Sequence, residues 1–187
     1  LNTTMTDFMM CENCKAEYIN NENRRFHAQP NACSVCGPKI WLTDRENNGI
    51  EGKVWENIHT RLNKGEILAL KGLGGFHLAC DALNEEAVYR LRQRKCRWEK
   101  PFAIMVPDLQ TANEYCYIDK KEQELLTSSA HPIVLLKIKA NNALAPSVAP
   151  DNKRLGIMLP YTPIHHLLMQ KEKALVMTSA NVSDEPI

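Results

Sequence analysis

Apolar positions from residue 54 onward recur with two periods, and each period predicts a different kind of element. The helical spacing of Val54, Ile58 and Leu62 predicts a helix that ends at Gly65. Cap residues followed by helix formers predict three more helices, at 84–95, 119–126 and 162–170. Short apolar runs predict strands at 66–71, 102–106, 131–138, 154–159 and 174–178. This mixture indicates a sheet covered by helices, of the α/β or α+β class.

A polar stretch with two glycines, residues 43–53, separates this pattern from a different N-terminal segment. We therefore predict two domains, a small module over 1–48 and a larger domain over 49–187. The chain has 187 residues, 44% of them hydrophobic, and a net charge of +1. Such a length buries a core without disulfides, and such a charge implies no partner by itself. No apolar run is long enough to span a membrane, and no export signal begins the chain, so we expect a cytoplasmic protein.

Four of the seven cysteines are clustered in two C-x2-C pairs, which are separated by 18 residues. Two such pairs complete a tetrahedral thiolate site that suits Zn²⁺. Four thiolates leave no coordination position for water, so we expect the ion to be structural. Two redox C-x-x-C motifs or a pair of disulfides are the alternatives. The predicted zinc ligands are Cys11, Cys14, Cys33 and Cys36.

Other residues of the cysteine segment have predicted roles in shaping it. His27 lies between the two pairs, but four cysteines suffice, so we do not expect it to be a ligand. Gly37 follows the second pair, where a positive φ would ease the turn. We expect Phe26 and Trp41 to pack beneath the metal.

The segment 90–100 carries six basic residues against one acid, Glu99, a density that indicates an anionic partner such as a phosphate. A plain basic surface is the alternative. Because Pro101 ends the helix, the last three cations are best placed to bind a ligand. Those three are Lys95, Arg97 and Lys100.

Two further loops are candidates for a binding site. Residues 71–82 contain three glycines, which would let the backbone approach a ligand, although a tight strand-to-strand connection explains them equally well. The last predicted strand runs into Thr178, Ser179, Asn181 and Ser183, whose hydroxyls and amide suit phosphate or carbonyl oxygens. A helix cap is the alternative for these polar residues.

Together these segments resemble the hydrogenase-maturation carbamoyltransferase family, HypF. The resemblance rests on "MCENCKAEY", "RRFHAQPNACSVCGP", "LALKGLGGFHLACDA", "RKCRWEKPFAIM", "LGIMLPYTPIHHLL" and "VMTSANVSDEPI". It implies a zinc finger followed by a YrdC-like domain, an α+β (α/β-like) fold with a twisted mixed sheet flanked by helices. It also implies a nucleotide site formed by Lys95 and Arg97 with Ser179 and Asn181, with Lys100 as a further basic group. Lys71 is a possible carboxylate partner in the acyl pocket.

The resemblance further implies a fragment of a longer enzyme. In the family, a YrdC-like domain joins carbamate to AMP, using ATP with Mg²⁺ and releasing pyrophosphate. Another domain releases the carbamate from carbamoyl phosphate, and a C-terminal domain passes the carbamoyl group to the terminal cysteine of the partner protein HypE. The competing interpretation is a zinc-containing RNA-binding module of YrdC type. The roles of His77, His165 and His166 stay open, and packing explains each of them as well as catalysis does.

Overall fold

The structure is a computed structural model that describes residues 8–72 and 75–181. The chain separates into two compact units, Leu1–Glu51 and Gly52–Ile187, which we call the finger unit and the sheet unit. The domain boundary drawn from the sequence, between residues 48 and 49, stays a prediction. Within the described ranges, no helix has both the length and the apolar character needed to cross a membrane.

The finger unit contains little regular structure and little buried apolar surface. Its one described helix, α1 (Glu12–Ile19), begins directly after Cys11. An isolated antiparallel bridge joins Thr43 to Gly49. Of the described residues in this unit, only Cys14 and Asn31 are buried, and the Asn31 side chain donates to the Cys14 carbonyl over 2.8 Å.

The sheet unit is a mixed seven-stranded sheet with helices, as the sequence predicted. The strands are β1 (Leu68–Lys71), β2 (Phe76–Asp81), β3 (Ile104–Met105), β4 (Cys116–Tyr117), β5 (Val134–Ile138), β6 (Arg154–Met158) and β7 (Leu175–Ser179). All neighbouring strands are antiparallel except β3 and β6, which are parallel, and the order is β1-β2-β7-β3-β6-β5-β4. The helices are α2 (Val54–Asn63), α3 (Glu85–Lys95), α4 (Leu109–Tyr115), α5 (Lys120–Leu126) and α6 (Pro163–Leu168), with a 3-10 turn at Pro146–Val148.

The two faces of the sheet bury different side chains, because successive residues of a strand point to opposite faces. One face carries Ile104, Ile157 and Val176 into the main hydrophobic core. The opposite face of the same strands carries methionines that line a pocket, namely Met105, Met158 and Met177. Strand β6 is buried along four consecutive residues, which explains its continuous apolar pattern.

The helices of the sheet unit begin at the cap residues that the sequence predicted. The Asn84 side chain accepts a hydrogen bond from the Ala87 amide at the start of α3. Asp119 and Glu122 form a complete capping box on α5, and Thr162 caps α6 before Pro163. A buried pair, His59 Nδ1 and Glu172 Oε1 at 2.5 Å, ties α2 to the segment before β7.

The glycine-rich segment after β1 includes an element that the sequence pattern did not predict. Residues 76–81 form strand β2, which pairs antiparallel with β1 so that Lys71 lies opposite Phe76. The chain between β1 and β2 therefore joins two paired strands, and the Gly72 amide donates to the Gly75 carbonyl over 2.7 Å. A close approach of this segment to a ligand stays a prediction. Helix α4 and the short strand β4 were also missed.

Candidate nucleotide site and metal site

The four clustered cysteines of the finger unit converge on one point. Their sulfur atoms all lie within 4.8 Å of one another. The Cys33 sulfur is 3.6 Å from that of Cys11 and 3.9 Å from that of Cys36. A tetrahedral zinc site with Zn–S bonds of ~2.3 Å places its sulfurs ~3.8 Å apart, so the clustering of these four residues fits the metal.

The surroundings of the cysteines favour thiolates at one side of the cluster. Backbone hydrogen bonds lower the pKa of Cys36 to about 6, and they also lower the pKa of Cys33. Burial raises the pKa of Cys14 above its usual range. Four thiolates this close repel one another strongly unless a cation offsets their charge. A structural dication supplies such a positive charge.

Two expectations about the finger unit need correction. Gly37 does not adopt a positive φ; it is required because a Cβ there would lie 2.6 Å from the Cys33 carbonyl oxygen. Phe26 and Trp41 are 43% and 74% exposed, so they do not pack beneath the metal cluster. His27 is outside the cluster, as expected, and its ring stacks on Phe26 at 4.0 Å between centroids.

Arg92, in the last turn of α3, is the organiser of the basic segment. It is 3% exposed, and its guanidinium donates to five backbone carbonyls across two loops. It also lies over the Phe102 ring, with Cζ 4.7 Å from the centroid. Its side chain therefore fixes both loops instead of meeting a ligand, and burial lowers its pKa. The five carbonyls belong to Arg97, Trp98, Lys100, Ser147 and Val148.

Lys95 and the end of β7 are joined directly, although more than eighty residues separate them. The Lys95 ammonium donates to the carbonyls of Ser179 (2.7 Å) and Asn181 (2.5 Å). Burial, and secondly the neighbouring Arg97, lower the pKa of Lys95. The Ser179 hydroxyl in turn donates to the Asn181 side-chain oxygen. The two predicted motifs thus meet in the folded chain, with Lys95 as the link between them.

Cys96 reverses the chain between the two predicted cations. It ends α3 in the left-handed region, at φ 49°, where glycine is the usual residue. This turn leaves Lys95 buried and brings Arg97 to a pocket. Arg97 donates to the carbonyls of Lys100 and Pro101 and lies over the Phe102 ring.

The pocket has a volume of about 430 Å³ and lies on the methionine face of the sheet. It is lined by Arg97 and Ser179, which are predicted site residues, and by apolar side chains of four strands or their flanks. His77, His131, Tyr161 and Thr178 complete its polar lining, and of these four the sequence marked His77 and Thr178 as candidates. Lys71, at the end of β1, is exposed, with its ammonium 4.9 Å from the Phe76 ring centroid. Lys100 is exposed and Asn181 is half-buried, and neither lines this pocket.

Imidazole rings approach one another at this end of the sheet. His77 is opposite Ser179 in the β2–β7 register, so the two side chains share a sheet face. His165 is fully buried and packs edge-on against Tyr161, with ring centroids 4.4 Å apart. Burial, followed by the neighbouring His77 and His166, lowers the pKa of His165 to about 4. His165 is therefore neutral at physiological pH.

A larger hollow, of about 610 Å³, lies elsewhere on the sheet unit. Its polar lining is mainly the amides of Asn141 and Asn142, with one acid, Glu114, and one base, Lys173. It is more open to solvent and contains none of the predicted site residues, so the smaller pocket is the better candidate for chemistry.

Comparison with known families agrees with the division of the chain into a finger unit and a sheet unit. The model of the Sua5/YciO/YrdC family, described as telomere recombination, matches residues 60–187, and the model of the HypF finger matches residues 10–43. The chain belongs to the Sua5/YciO/YrdC family. It carries in addition the finger that is typical of HypF, and the resemblance to HypF found in the sequence is confirmed.

Relatives of this Sua5/YciO/YrdC chain include HypF proteins. The carbamoyltransferase HypF of Rhodobacter capsulatus is 49% identical over 98% of the chain. A crystal structure of full-length HypF in the phosphate- and nucleotide-bound form superposes with a TM-score of 0.85 at 48% identity over 99% of the chain. HypF of T. kodakarensis superposes with a TM-score of 0.86 at 44% identity over the whole chain. The chain spans 24% of the first two relatives and 25% of the third.

Proposed function

We propose that the sheet unit binds ATP and forms carbamoyl adenylate from carbamate. The observation that carries this proposal is the direct link from Lys95 to the carbonyls of Ser179 and Asn181, beside a pocket that Arg97 and Ser179 line. A related HypF has been crystallised in a phosphate- and nucleotide-bound form, which supports a nucleotide as the ligand.

The proposed reaction is an in-line displacement at the α-phosphorus of ATP. An oxygen of carbamate forms a bond to this phosphorus, the bond to the β-phosphate oxygen breaks, and pyrophosphate leaves. Such a step needs alignment and neutralisation of charge more than covalent help. ATP enters as its Mg²⁺ complex, in which the ion is bound mainly by phosphates and water.

The residues of the sheet unit have separate roles in this proposal. Arg97 faces the pocket and donates to the phosphates as a planar fork. Lys95 holds the Ser179–Asn181 turn in position and adds positive charge behind it. Ser179 supplies a hydroxyl at the pocket wall. Lys100 and Lys71 are exposed, and we propose that they attract the anionic substrates from solvent.

The wider role follows from the HypF relatives. We propose that this chain acts within a longer carbamoyltransferase of nickel–iron hydrogenase maturation. Carbamoyl phosphate is the proposed source of the carbamate, and the terminal cysteine of HypE is the proposed acceptor. The finger unit takes a structural Zn²⁺ through its four cysteines.

RNA binding is less well supported by the basic segment. Arg92 and Lys95 are 3% exposed each and already donate to backbone carbonyls, so neither offers its charge to a nucleic acid backbone. Trp98 is 57% exposed but stands alone as an aromatic in residues 90–100, apart from Tyr89 just before them, and base stacking needs several such platforms.

Isotope exchange between ATP and labelled pyrophosphate tests the proposal. Carbamate forms spontaneously in ammonium bicarbonate, so the chain should catalyse exchange in that salt and not in sodium bicarbonate or ammonium chloride alone. ATP binding without carbamate-dependent exchange would contradict the proposed reaction. Salt-dependent RNA binding together with absence of ATP binding would favour the RNA-binding alternative.

A further inference from the structure

Several buried ring nitrogens around the 430 Å³ pocket have no hydrogen-bond partner among the described residues. They are Nδ1 of His77, Nδ1 of His131 and both ring nitrogens of His165. Buried polar atoms are nearly always paired in folded proteins, so a group of them at one place indicates a ligand or water that is part of the functional state.

The three histidines belong to one cluster. His77 and His131 line the pocket, and the ring of Tyr161 lies 6.5 Å from that of His131. His165 stands behind Tyr161, and its ring centroid is 6.2 Å from that of His77. His131 also adopts a left-handed backbone conformation, with φ 42°, which is uncommon for a residue other than glycine and recurs at binding sites.

A metal ion is not the partner that this cluster fits. Among the described residues, only the four cysteines of the finger unit bring three or more ligand atoms within 4.8 Å of one another. The pocket lining also lacks a carboxylate, and its only full charge in the described structure is the Arg97 cation. A neutral imidazole offers one donor and one acceptor.

This combination matches the chemistry of carbamate. Carbamate has a carboxylate that accepts hydrogen bonds and an amino group that donates them, whereas acetate of the same shape has a methyl group. The Arg97 guanidinium offers N–H donors on one side of the pocket. The Nδ1 atom of His77 offers an acceptor on the same sheet face as Ser179 when Nε2 carries the proton.

We propose that the Nδ1 atom of His77 accepts a hydrogen bond from the amino group of carbamate and so selects carbamate over acyl groups that lack an N–H. This inference rests on the proposed function and assigns the acyl end of the same pocket. The displacement itself needs no proton transfer from His77, because carbamate attacks as the anion and pyrophosphate leaves as one. His77 is thus a specificity residue, and acetate would leave its lone pair buried and unpaired.

Two substitutions separate this role from packing. His77→Phe keeps a ring but removes both nitrogens, while His77→Asn places an amide oxygen near the position of Nδ1. We expect His77→Phe to lower carbamate-dependent ATP–pyrophosphate exchange about tenfold or more and to leave the ATP affinity within about twofold. His77→Asn should recover most of the exchange, and acetate-dependent exchange should not fall in either variant. Full carbamate exchange in His77→Phe, or an equal loss in both variants, would overturn the proposal.

Binding of carbamate can be measured without turnover. The ring nitrogens of ¹⁵N-histidine-labelled chain are followed by NMR at pH 8, with α,β-methylene-ATP present to block bond cleavage. Ammonium bicarbonate should shift the Nδ1 resonance of His77, and equal concentrations of sodium bicarbonate, ammonium chloride or sodium acetate should not. A shift of the His77 resonance in a chain that catalyses no ATP–pyrophosphate exchange would contradict the proposed reaction but support the carbamate site. No shift, or the same shift with acetate, would overturn the carbamate site.

Discussion

The finger unit and the sheet unit obtain their order from different sources. Among the described residues, the finger unit buries only one apolar side chain, that of Cys14, and leaves Ile19, Val35 and Trp41 more than half exposed. The sheet unit buries a continuous cluster of apolar residues from all its central strands. Metal ligation has to replace the hydrophobic core in the first unit, whereas burial suffices in the second.

This difference also separates two uses of polar groups. In the finger unit the cysteines are a structural device, and their charges need a cation. In the sheet unit the buried cations Arg92 and Lys95 replace water as donors to loop carbonyls, and they leave Arg97 at the pocket. The basic segment therefore consists of an internal frame, formed by Arg92 and Lys95, and an arginine at the pocket, Arg97, not of a uniform surface.

Loss of the metal should have the largest effect. Structural zinc supplies about 10–16 kcal/mol of apparent binding free energy in small fingers. Cys33→Ser should abolish stoichiometric zinc and the dispersed NMR signals of residues 10–43, while the signals of the sheet strands stay in place. One zinc per chain with normal melting in Cys33→Ser would refute the metal-dependent half of the comparison.

A core truncation should affect only the sheet unit. Leu136 on β5 is fully buried, so Leu136→Ala should lower the free energy of unfolding by about 2–5 kcal/mol. Leu135→Ala is the matched control, because that neighbour is 59% exposed and its truncation should change stability by less than about 0.5 kcal/mol. Urea unfolding measures both, and the zinc content should not change. Equal effects of the two truncations would mean that the core is misassigned.

Substitution of the buried Arg92 tests whether the internal frame stabilises the sheet unit. Arg92→Met removes a donor from five carbonyls. Those of Val148 and Lys100 keep the Phe102 amide and the Arg97 side chain, whereas the other three lose their donor. Each buried unpaired carbonyl costs about 1–3 kcal/mol, and water compensates part of the loss. We expect a destabilisation of about 3 kcal/mol in urea unfolding and weaker ATP binding, although Arg92 does not line the pocket. Arg94→Met, on the exposed face of the same helix, should do neither. If both variants behave alike, the frame has no energetic basis.

Acid should destabilise the sheet unit through His165. Its pKa is about 4 in the folded chain, below its ordinary value of 6.5, so the unfolded chain binds more protons in between. Stability is therefore complete above pH 6.5 and falls toward pH 4, by about 2 kcal/mol at pH 5. Hydrogen exchange of the β6 amides at several pH values measures this unit alone. The stability of the His165→Phe variant should no longer depend on pH in this range. The His166→Phe variant, which changes an exposed neighbour, should keep the pH dependence. The reverse result would exclude His165 as the cause.

The sequence predicted local features well and long-range ones poorly. The caps at Asn84, Asp119 and Thr162 depend on neighbouring residues, so their identities were sufficient. The metal ligands were predictable because the C-x2-C spacing encodes the geometry of the site. Arg92 was not distinguished from its basic neighbours, because two of the five carbonyls that it contacts lie more than fifty residues away and the other three are backbone groups that side-chain identity does not mark.

The imidazole cluster shows the same limit. His77, His131 and His165 come from a strand, a loop and a helix, and only the sheet register and the turn before α6 bring them together. Residues 182–187, which include Ser183 of the last predicted motif, lie outside the described residues. The assignment of Lys95, Arg97, Ser179 and Asn181 to a nucleotide stays a prediction that binding measurements have to test.

Calorimetric titration of ATP against Arg97→Ala and Arg94→Ala tests the central claim most directly. Both variants remove one positive charge from the same segment, but only Arg97 lines the pocket. A charge-assisted phosphate contact contributes about 1.5–3 kcal/mol, so Arg97→Ala should weaken ATP binding about tenfold or more, and Arg94→Ala should change it little. An equal loss in the two variants would show a diffuse basic patch and would contradict the proposed site.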